Sequence, residues 1–198
     1  MPSKLFGISL VLGGLLLILL NIFLTPLLPS DQSEVVLRTS TVYYLRSLTS
    51  GLTAIFLLLG CIGIYLIQRS KAGVFGTITF LVAFIGNSLI VCVEWSNLFV
   101  LSAVSQSYPE ALSILDQSKL MEVGFATAAG LFALGWILIA VSAIKIKVFP
   151  YWIPVSLITG LVLIAVLGAT PLGLAGTIIG NVVFGLGIVT MGMKLVKA

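Results

Sequence analysis

The sequence has no histidine among its 198 residues. Imidazole is the commonest metal ligand and the usual base beside a catalytic serine or cysteine. Its absence excludes most zinc sites, histidine-dependent triads and haem held by histidine. The short motifs of phosphate loops, thiol redox pairs and zinc proteases are missing as well. We therefore expect no metal or other cofactor, and no catalytic residues of a standard enzyme class.

Charged residues are also scarce. They make up 8% of the chain and hydrophobic residues 60%, whereas about a quarter of a soluble domain is charged. A water-soluble chain of this composition could not cover its surface with polar groups, and a bilayer removes that difficulty. The composition predicts a single all-α transmembrane domain over residues 1–198. The net charge of +4 comes without a basic run or basic helix face, so we expect no nucleic-acid partner.

Six apolar runs have the roughly 20 residues that a helix needs to cross the hydrocarbon layer. They predict a polytopic bundle of six transmembrane helices. The third run continues beyond Glu94, and no glycine or proline stands there, so we expect its helix to project and not to break. The six runs are Leu5–Leu28, Tyr43–Leu66, Ala72–Val93, Met121–Ile144, Tyr151–Ala169 and Leu172–Val196.

Basic residues predict the orientation through the positive-inside rule. With six crossings and both termini in the cytoplasm, Arg38, Arg46 and Lys119 lie on the outer side, as do the acidic residues. The other basic residues fall on the cytoplasmic side. The sequence therefore predicts a multi-pass membrane protein with both termini in the cytoplasm; the resemblance described below implies the cytoplasmic membrane of a bacterium. The cytoplasmic set is Lys4, Arg69, Lys71, Lys145, Lys147, Lys194 and Lys197.

Two outer connections carry signals for short helices. Pro109 and Glu110 suit the first turn of a helix, which we expect to lie along the membrane interface and to reach Asp116. Asp31 and Glu34 have the spacing of a capping box, which predicts a second short helix starting there.

The two cysteines, Cys61 and Cys92, lie in different apolar runs and at different predicted depths. A disulfide requires Cα atoms within about 7 Å of each other. We therefore expect two free thiols that pack as small buried apolar groups.

Ionisable residues in or near a membrane span are costly and are candidates for function. Glu94, Arg46 and Glu122 are predicted near the outer ends of three helices, where Glu94 and Arg46 could form a pair. Membrane asparagines also come out in the outer half, which leaves an apolar inner half. Together they predict a ligand-binding polar pocket open to the outside, lined by Asn21, Arg46, Asn87, Glu94, Asn97, Glu122 and Asn181. The alternative is that the charges are interfacial anchors and the asparagines hydrogen bond between helices, at about 0.6 kcal/mol each.

Small residues at helical spacing mark two predicted packing faces. Lipid offers no hydrophobic drive for association, so membrane helices associate where small side chains let their backbones approach. One face lies on the last helix and one on the fourth. Their residues are Gly173, Gly176 and Gly180, and Ala126, Ala129 and Gly130.

Three stretches carry a resemblance to a known family. They are Lys4–Ile8 at the first helix, Tyr44–Ser47 opening the second, and Gly135–Pro150 leading into the fifth. The chain resembles a bacterial family of six-helix membrane proteins of uncharacterised function. The resemblance extends over most of the chain and implies the architecture, and it implies no activity.

Three functions fit these observations. The first is binding or transport of a small molecule or lipid through the outer polar pocket. The second is an accessory role, in which the small-residue faces pack against a partner membrane protein or a second copy of the chain. The third is a membrane enzyme that uses Glu94 as an acid or base, for which the sequence offers no partner nucleophile or metal. The lipid bilayer surrounds the protein in all three.

Overall fold

The computed structural model describes residues 2–29 and 33–197, and within them the chain is helical with no β-strand. The all-α architecture is therefore confirmed. Eight α-helices fall in the described ranges: α1 (Pro2–Leu19), α2 (Glu34–Thr39), α3 (Thr41–Trp95), α4 (Ser102–Ser107), α5 (Pro109–Asp116), α6 (Lys119–Ile146), α7 (Trp152–Gly168) and α8 (Gly173–Lys197). A π-helical segment and a 3-10 turn follow α1, at Leu20–Leu24 and Thr25–Leu27, and a second π-helical turn, Ser96–Leu101, joins α3 to α4.

Helix α3 is a hairpin whose two arms, residues 41–72 and 74–95, turn at Gly73. Gly73 has φ +55° and ψ −140°, a backbone conformation that suits glycine because it has no Cβ. The Tyr65 ring stacks on Phe80 with centroids 4.5 Å apart. At the far end of the arms, Ser50 lies 2.7 Å from Glu94. The arms therefore run side by side along their length, in the positions predicted for the second and third helices.

In the part of the chain that the structure describes, four helical segments are long and apolar enough to cross a membrane: Lys4–Leu27, Thr41–Ser107, Lys119–Ile146 and Gly173–Lys197. The second of these contains both arms of α3 in its 67 residues. Helix α7 is equally apolar in character but has 17 residues. Six crossings would require α3 to cross twice, once with each arm, and α7 to cross once.

The helices pack in the order α6, α3, α1, α8, α7, and α7 returns to α6 near one end. Glycines set the closest approaches. A Cβ on Gly160 of α7 would lie 2.7 Å from the Gly180 carbonyl of α8, and one on Gly14 of α1 would lie 2.9 Å from the Gly185 carbonyl. The backbones are thus in direct contact, as small residues in membrane helices allow. Trp136 fills the centre of the core, with its ring edge-on to Phe184 at 5.6 Å.

The two predicted small-residue faces differ in burial. Gly176 and Gly180 are buried against α7, so the α8 face packs inside the protein. On α6, Ala126, Ala129 and Gly130 are exposed, and an added Cβ on Gly130 would meet no described atom within 4 Å. The prediction of a packing face is confirmed for α8, and for α6 it stays a prediction, because that face meets no other part of the described chain.

The two short helices α2 and α5 follow the sequence signals. Helix α5 has the predicted bounds, Pro109–Asp116. Helix α2 begins after Ser33, whose Oγ accepts a hydrogen bond from Val36 N at 3.4 Å; Asp31 of the predicted capping box lies outside the described residues. The chain beyond Glu94 stays helical through Ser107, so projection is confirmed, with a π-turn in the path.

The seven basic residues predicted to be cytoplasmic lie at one end of the bundle. Gly7 of α1 packs against Val196 of α8, so the two chain ends meet. At the same end the α3 turn meets α6, where Lys145 Nζ lies 4.8 Å from the Phe75 ring centroid. The hydrogen-bonded Ser50–Glu94 pair lies at the other end of the α3 arms. These contacts give the bundle a basic end and an opposite end that carries Glu94.

Candidate functional site

The three membrane asparagines all bond to the backbone of their own helices. Asn21, Asn87 and Asn181 each donate a side-chain amide N–H to the backbone carbonyl four residues earlier, at 2.9, 2.7 and 2.9 Å. Only Asn87 also reaches another described segment, with its amide 3.5 Å from the Cys61 sulfur. A side chain that bonds back to its own helix satisfies a polar group locally. The hydrogen bonds of these asparagine side chains are therefore mainly within their own helices.

Arg46 forms a different hydrogen bond from the one expected with Glu94. Arg46 Nε donates to Thr25 Oγ1 at 3.4 Å. No lysine or arginine nitrogen among the described residues lies within 4.0 Å of Glu94, so the predicted Glu94–Arg46 pair does not form. Glu122 is exposed near the start of α6.

Glu94 and Asn97 are the predicted site residues that the structure brings together. The half-buried Glu94 accepts hydrogen bonds from Ser50 Oγ at 2.7 Å and from Asn97 Nδ2 at 3.4 Å. Asn97 is itself anchored, because its backbone carbonyl accepts from Ser102 Oγ at 3.0 Å. The carboxylate thus links the two arms of α3 and has a defined position.

Beside this carboxylate, an apolar groove of about 190 Å³ runs between the arms of α3. Several of its side chains are exposed at the surface of the bundle, with Leu52 at 44% and Trp95 at 63%. The groove therefore opens sideways, away from the bundle core. Its lining is Ser47, Leu48, Gly51, Leu52 and Ile55 from the first arm, and Val91, Glu94, Trp95, Leu98 and Phe99 from the second arm and the π-turn.

The groove lies where a glycine of the first arm faces the carboxylate of the second arm. A Cβ on Gly51 would lie 3.6 Å from Glu94 Cβ, so a larger side chain there would enter the space between the arms. On the other wall, the π-turn Ser96–Leu101 contributes Leu98 and Phe99. Single π-turns inside α-helices are rare and occur often at functional sites.

Ser47 adds a second polar group to the groove. Its side chain is 1% exposed, and its Oγ has no hydrogen-bond partner among the described residues. A buried hydroxyl without a partner costs about 1–3 kcal/mol. Ser47 and Glu94 are the two polar side chains among the residues that line the groove. Ser47, Ser50 and Gly51 are not among the predicted site residues. The only sequence signal for them is their spacing along the helix, three residues and then one.

The inner half of the bundle is not apolar, contrary to the sequence prediction. Gln68 and Ser142 are both buried, and Ser142 Oγ donates to Gln68 Oε1 at 3.0 Å. Thr79 is buried beside them. Gln68 lies two residues beyond the predicted end of the second run, Leu66, and directly before Arg69. The cysteines are both free, and Cys61 is buried whereas Cys92 is exposed on the bundle surface.

No protein-family model, curated protein or solved structure matches this chain. The function of the protein is therefore inferred from its own residues, and above all from the groove between the arms of α3.

Proposed function

We propose that this chain is a six-pass protein of the bacterial cytoplasmic membrane that binds an amphiphilic small molecule or lipid in the α3 groove. The observation that carries the proposal is an apolar groove, open at the side of the bundle, that contains a carboxylate with a defined position. A soluble ligand would enter from an aqueous mouth. A sideways opening suits a ligand that arrives from the bilayer.

The proposed topology counts each arm of α3 and the 17-residue α7 as one crossing. It is supported by the collection of basic residues at the end that holds both chain termini, which the positive-inside rule assigns to the cytoplasm. Glu94 and the groove then lie toward the outer leaflet. The bacterial origin rests on the family resemblance alone.

The energetic cost of Glu94 supports a function for it. An acidic side chain in or near a membrane span is costly, and such residues are retained mainly where they act. The hydrogen bonds from Ser50 and Asn97 offset part of that cost. Known small-molecule sites have about 300–1,000 Å³, so this groove holds the segment of a ligand next to its polar head, and a longer tail would remain in the bilayer.

The proposal is tested by filling the groove. Gly51→Leu should place a side chain between the arms, and Ile55→Trp should do so from a partly exposed position. A side chain in this space should exclude the ligand by steric overlap, and a loss of about 1.4 kcal/mol or more is at least tenfold in affinity. The measurement is photolabelling of the protein in nanodiscs by dodecanol with a diazirine in its chain, with and without an excess of unlabelled dodecanol.

Gly130→Leu is the matched control, because this glycine lies on the exposed face of α6 with open space around it. Competable labelling should fall at least tenfold in both groove variants and stay at the wild-type level in the control. Equal labelling of all four proteins would overturn the proposal.

The accessory function is the second candidate, and the exposed outer half of α6 favours it. Leu120 is 82% exposed and Val123 61%, in line with the unfilled space at Gly130. In that case the effects reverse: Gly130→Leu should change the mass of the assembly in nanodiscs, and Gly51→Leu should leave it unchanged.

A further inference from the structure

We infer that the basic end of the bundle binds the head groups of anionic phospholipids in the leaflet around it. This surface is separate from the α3 groove, and the inference does not depend on the ligand of that groove. The acidic residues in the described part of the chain lie at the other end, in α2, at the end of α3, in α5 and near the start of α6. The basic end carries seven exposed lysine and arginine side chains: Lys4, Arg69, Lys71, Lys145, Lys147, Lys194 and Lys197.

The charges of these seven side chains are not neutralised within the described chain. None of the seven has a described carboxylate oxygen within 4.0 Å, whereas Arg38 at the other end pairs with Glu34 at 3.2 Å. Positive charges collected on one surface repel one another and attract anions from outside. The basic end therefore has the charge complementarity that an anionic partner requires.

Apolar side chains exposed beside these charges indicate that the anion belongs to a lipid. Lys145 Nζ lies 4.8 Å from the ring centroid of Phe75, and Val74 next to this ring is 77% exposed. Tyr151 and Trp152 are exposed at the same end, at the start of α7, and such residues are enriched where a bilayer meets water. A phospholipid offers an apolar chain to these side chains and a phosphate to the lysines. A soluble polyanion would leave the apolar side chains in water.

The distribution of the basic side chains fits a lipid surface better than one compact ligand. They lie at the turn of α3 and at the ends of α6, α1 and α8, and these helices pack in the order α6, α3, α1, α8. Positive charge therefore follows the edge of the bundle across four neighbouring helices. Clusters of about four to eight basic residues beside membrane spans attract anionic lipids, and each residue near the surface contributes about fivefold in affinity.

The three tryptophans of the protein allow a test in proteoliposomes, because a brominated lipid quenches the tryptophan that it contacts. Trp152 is exposed at the basic end, Trp95 is exposed at the opposite end and Trp136 is buried. Trp95→Phe leaves Trp152 as the exposed reporter, and Trp152→Phe leaves Trp95. Mixed bilayers of phosphatidylglycerol and phosphatidylcholine carry bromine on one lipid at a time, which gives the relative affinity of the two. The readout does not depend on the direction in which the protein inserts.

In the Trp95→Phe protein, phosphatidylglycerol should be preferred over phosphatidylcholine at Trp152 by at least about tenfold at low ionic strength. High salt should weaken this preference, because ions screen exposed charges. Lys145→Gln with Lys147→Gln removes the two basic residues closest in sequence to Trp152 and should lower the preference about fivefold or more. Lys119→Gln is the matched control, because it removes an exposed lysine at the opposite end, and it should keep the preference.

The reporter at the opposite end supplies the second control. Trp95, which follows Glu94 in the chain, should show no preference for phosphatidylglycerol in the Trp152→Phe protein. Equal affinity of the two lipids at Trp152 would overturn the inference, and so would an equal preference for phosphatidylglycerol at both reporters. A preference that survives the double lysine substitution or high salt unchanged would also contradict it. Each of these outcomes leaves the dodecanol labelling of the α3 groove, and with it the proposed function, unaffected.

Discussion

Adding one methyl group at Gly135 should destabilise the protein by about 1–3 kcal/mol, whereas the same methyl at Gly130 on the same helix should not. Gly135 packs directly on the second arm of α3, and an added Cβ would lie 2.8 Å from the backbone nitrogen of Ala83 and would collide with its Cα. The obstacle is backbone and not the end of a flexible side chain. Relief would require α6 and α3 to move apart.

Thermal unfolding of Gly135→Ala and Gly130→Ala in the same detergent measures this difference. Around Gly130 an added Cβ finds no described atom within 4 Å, and alanine favours a helix over glycine by roughly 0.8–1.0 kcal/mol. Gly130→Ala should therefore be neutral or stabilising. Equal losses of stability in the two variants would show that α6 does not pack on α3 through Gly135.

The second large effect concerns the labelling of engineered cysteines. Labelling should be complete on one side of the membrane and absent on the other. Both native cysteines, Cys61 and Cys92, are first replaced by alanine. In that background Ser70→Cys lies near the basic turn of α3, and Gln117→Cys follows α5 at the opposite end. An impermeant maleimide applied to intact cells should label Gln117→Cys and leave Ser70→Cys unlabelled until the membrane is opened.

Lys197→Cys is the matched position for the end that holds the chain termini. It is exposed near the end of α8 and should behave as Ser70→Cys does, because six crossings put both on the cytoplasmic side. Labelling of Lys197→Cys in intact cells, with Ser70→Cys protected, would indicate an odd number of crossings between them. Labelling of both would invert the proposed orientation.

The helices were predictable from the sequence because length and hydropathy determine them. Pro109 with Glu110 marks a helix start by local chemistry alone, and α5 begins there. The fold of α3 was predictable only in outline. Its two apolar runs stand on either side of Arg69 and Lys71, but the turn is the single residue Gly73, and every pairing between the arms depends on that position.

The candidate site was predictable only in part for the same reason. Glu94 stands out because an ionisable residue near a span is rare. Ser47 and Gly51 do not, because what gives them a role is the register of the hairpin that places them beside the groove. Asn181 shows the opposite case. It is a polar residue in an apolar run, yet its side chain bonds the carbonyl four residues earlier. Position in the sequence predicts how far along its helix a side chain lies. It does not predict which neighbouring helix the side chain faces.

A crystal structure of the protein grown in lipid, without added ligand, tests the central claim most directly. The α3 groove should contain elongated density that begins beside Glu94 and leaves the bundle past Leu52 and Trp95. Gly51→Leu crystals grown in the same lipid should lack it. A groove closed by its own side chains in the wild-type protein, or density of equal strength in Gly51→Leu, would contradict the account.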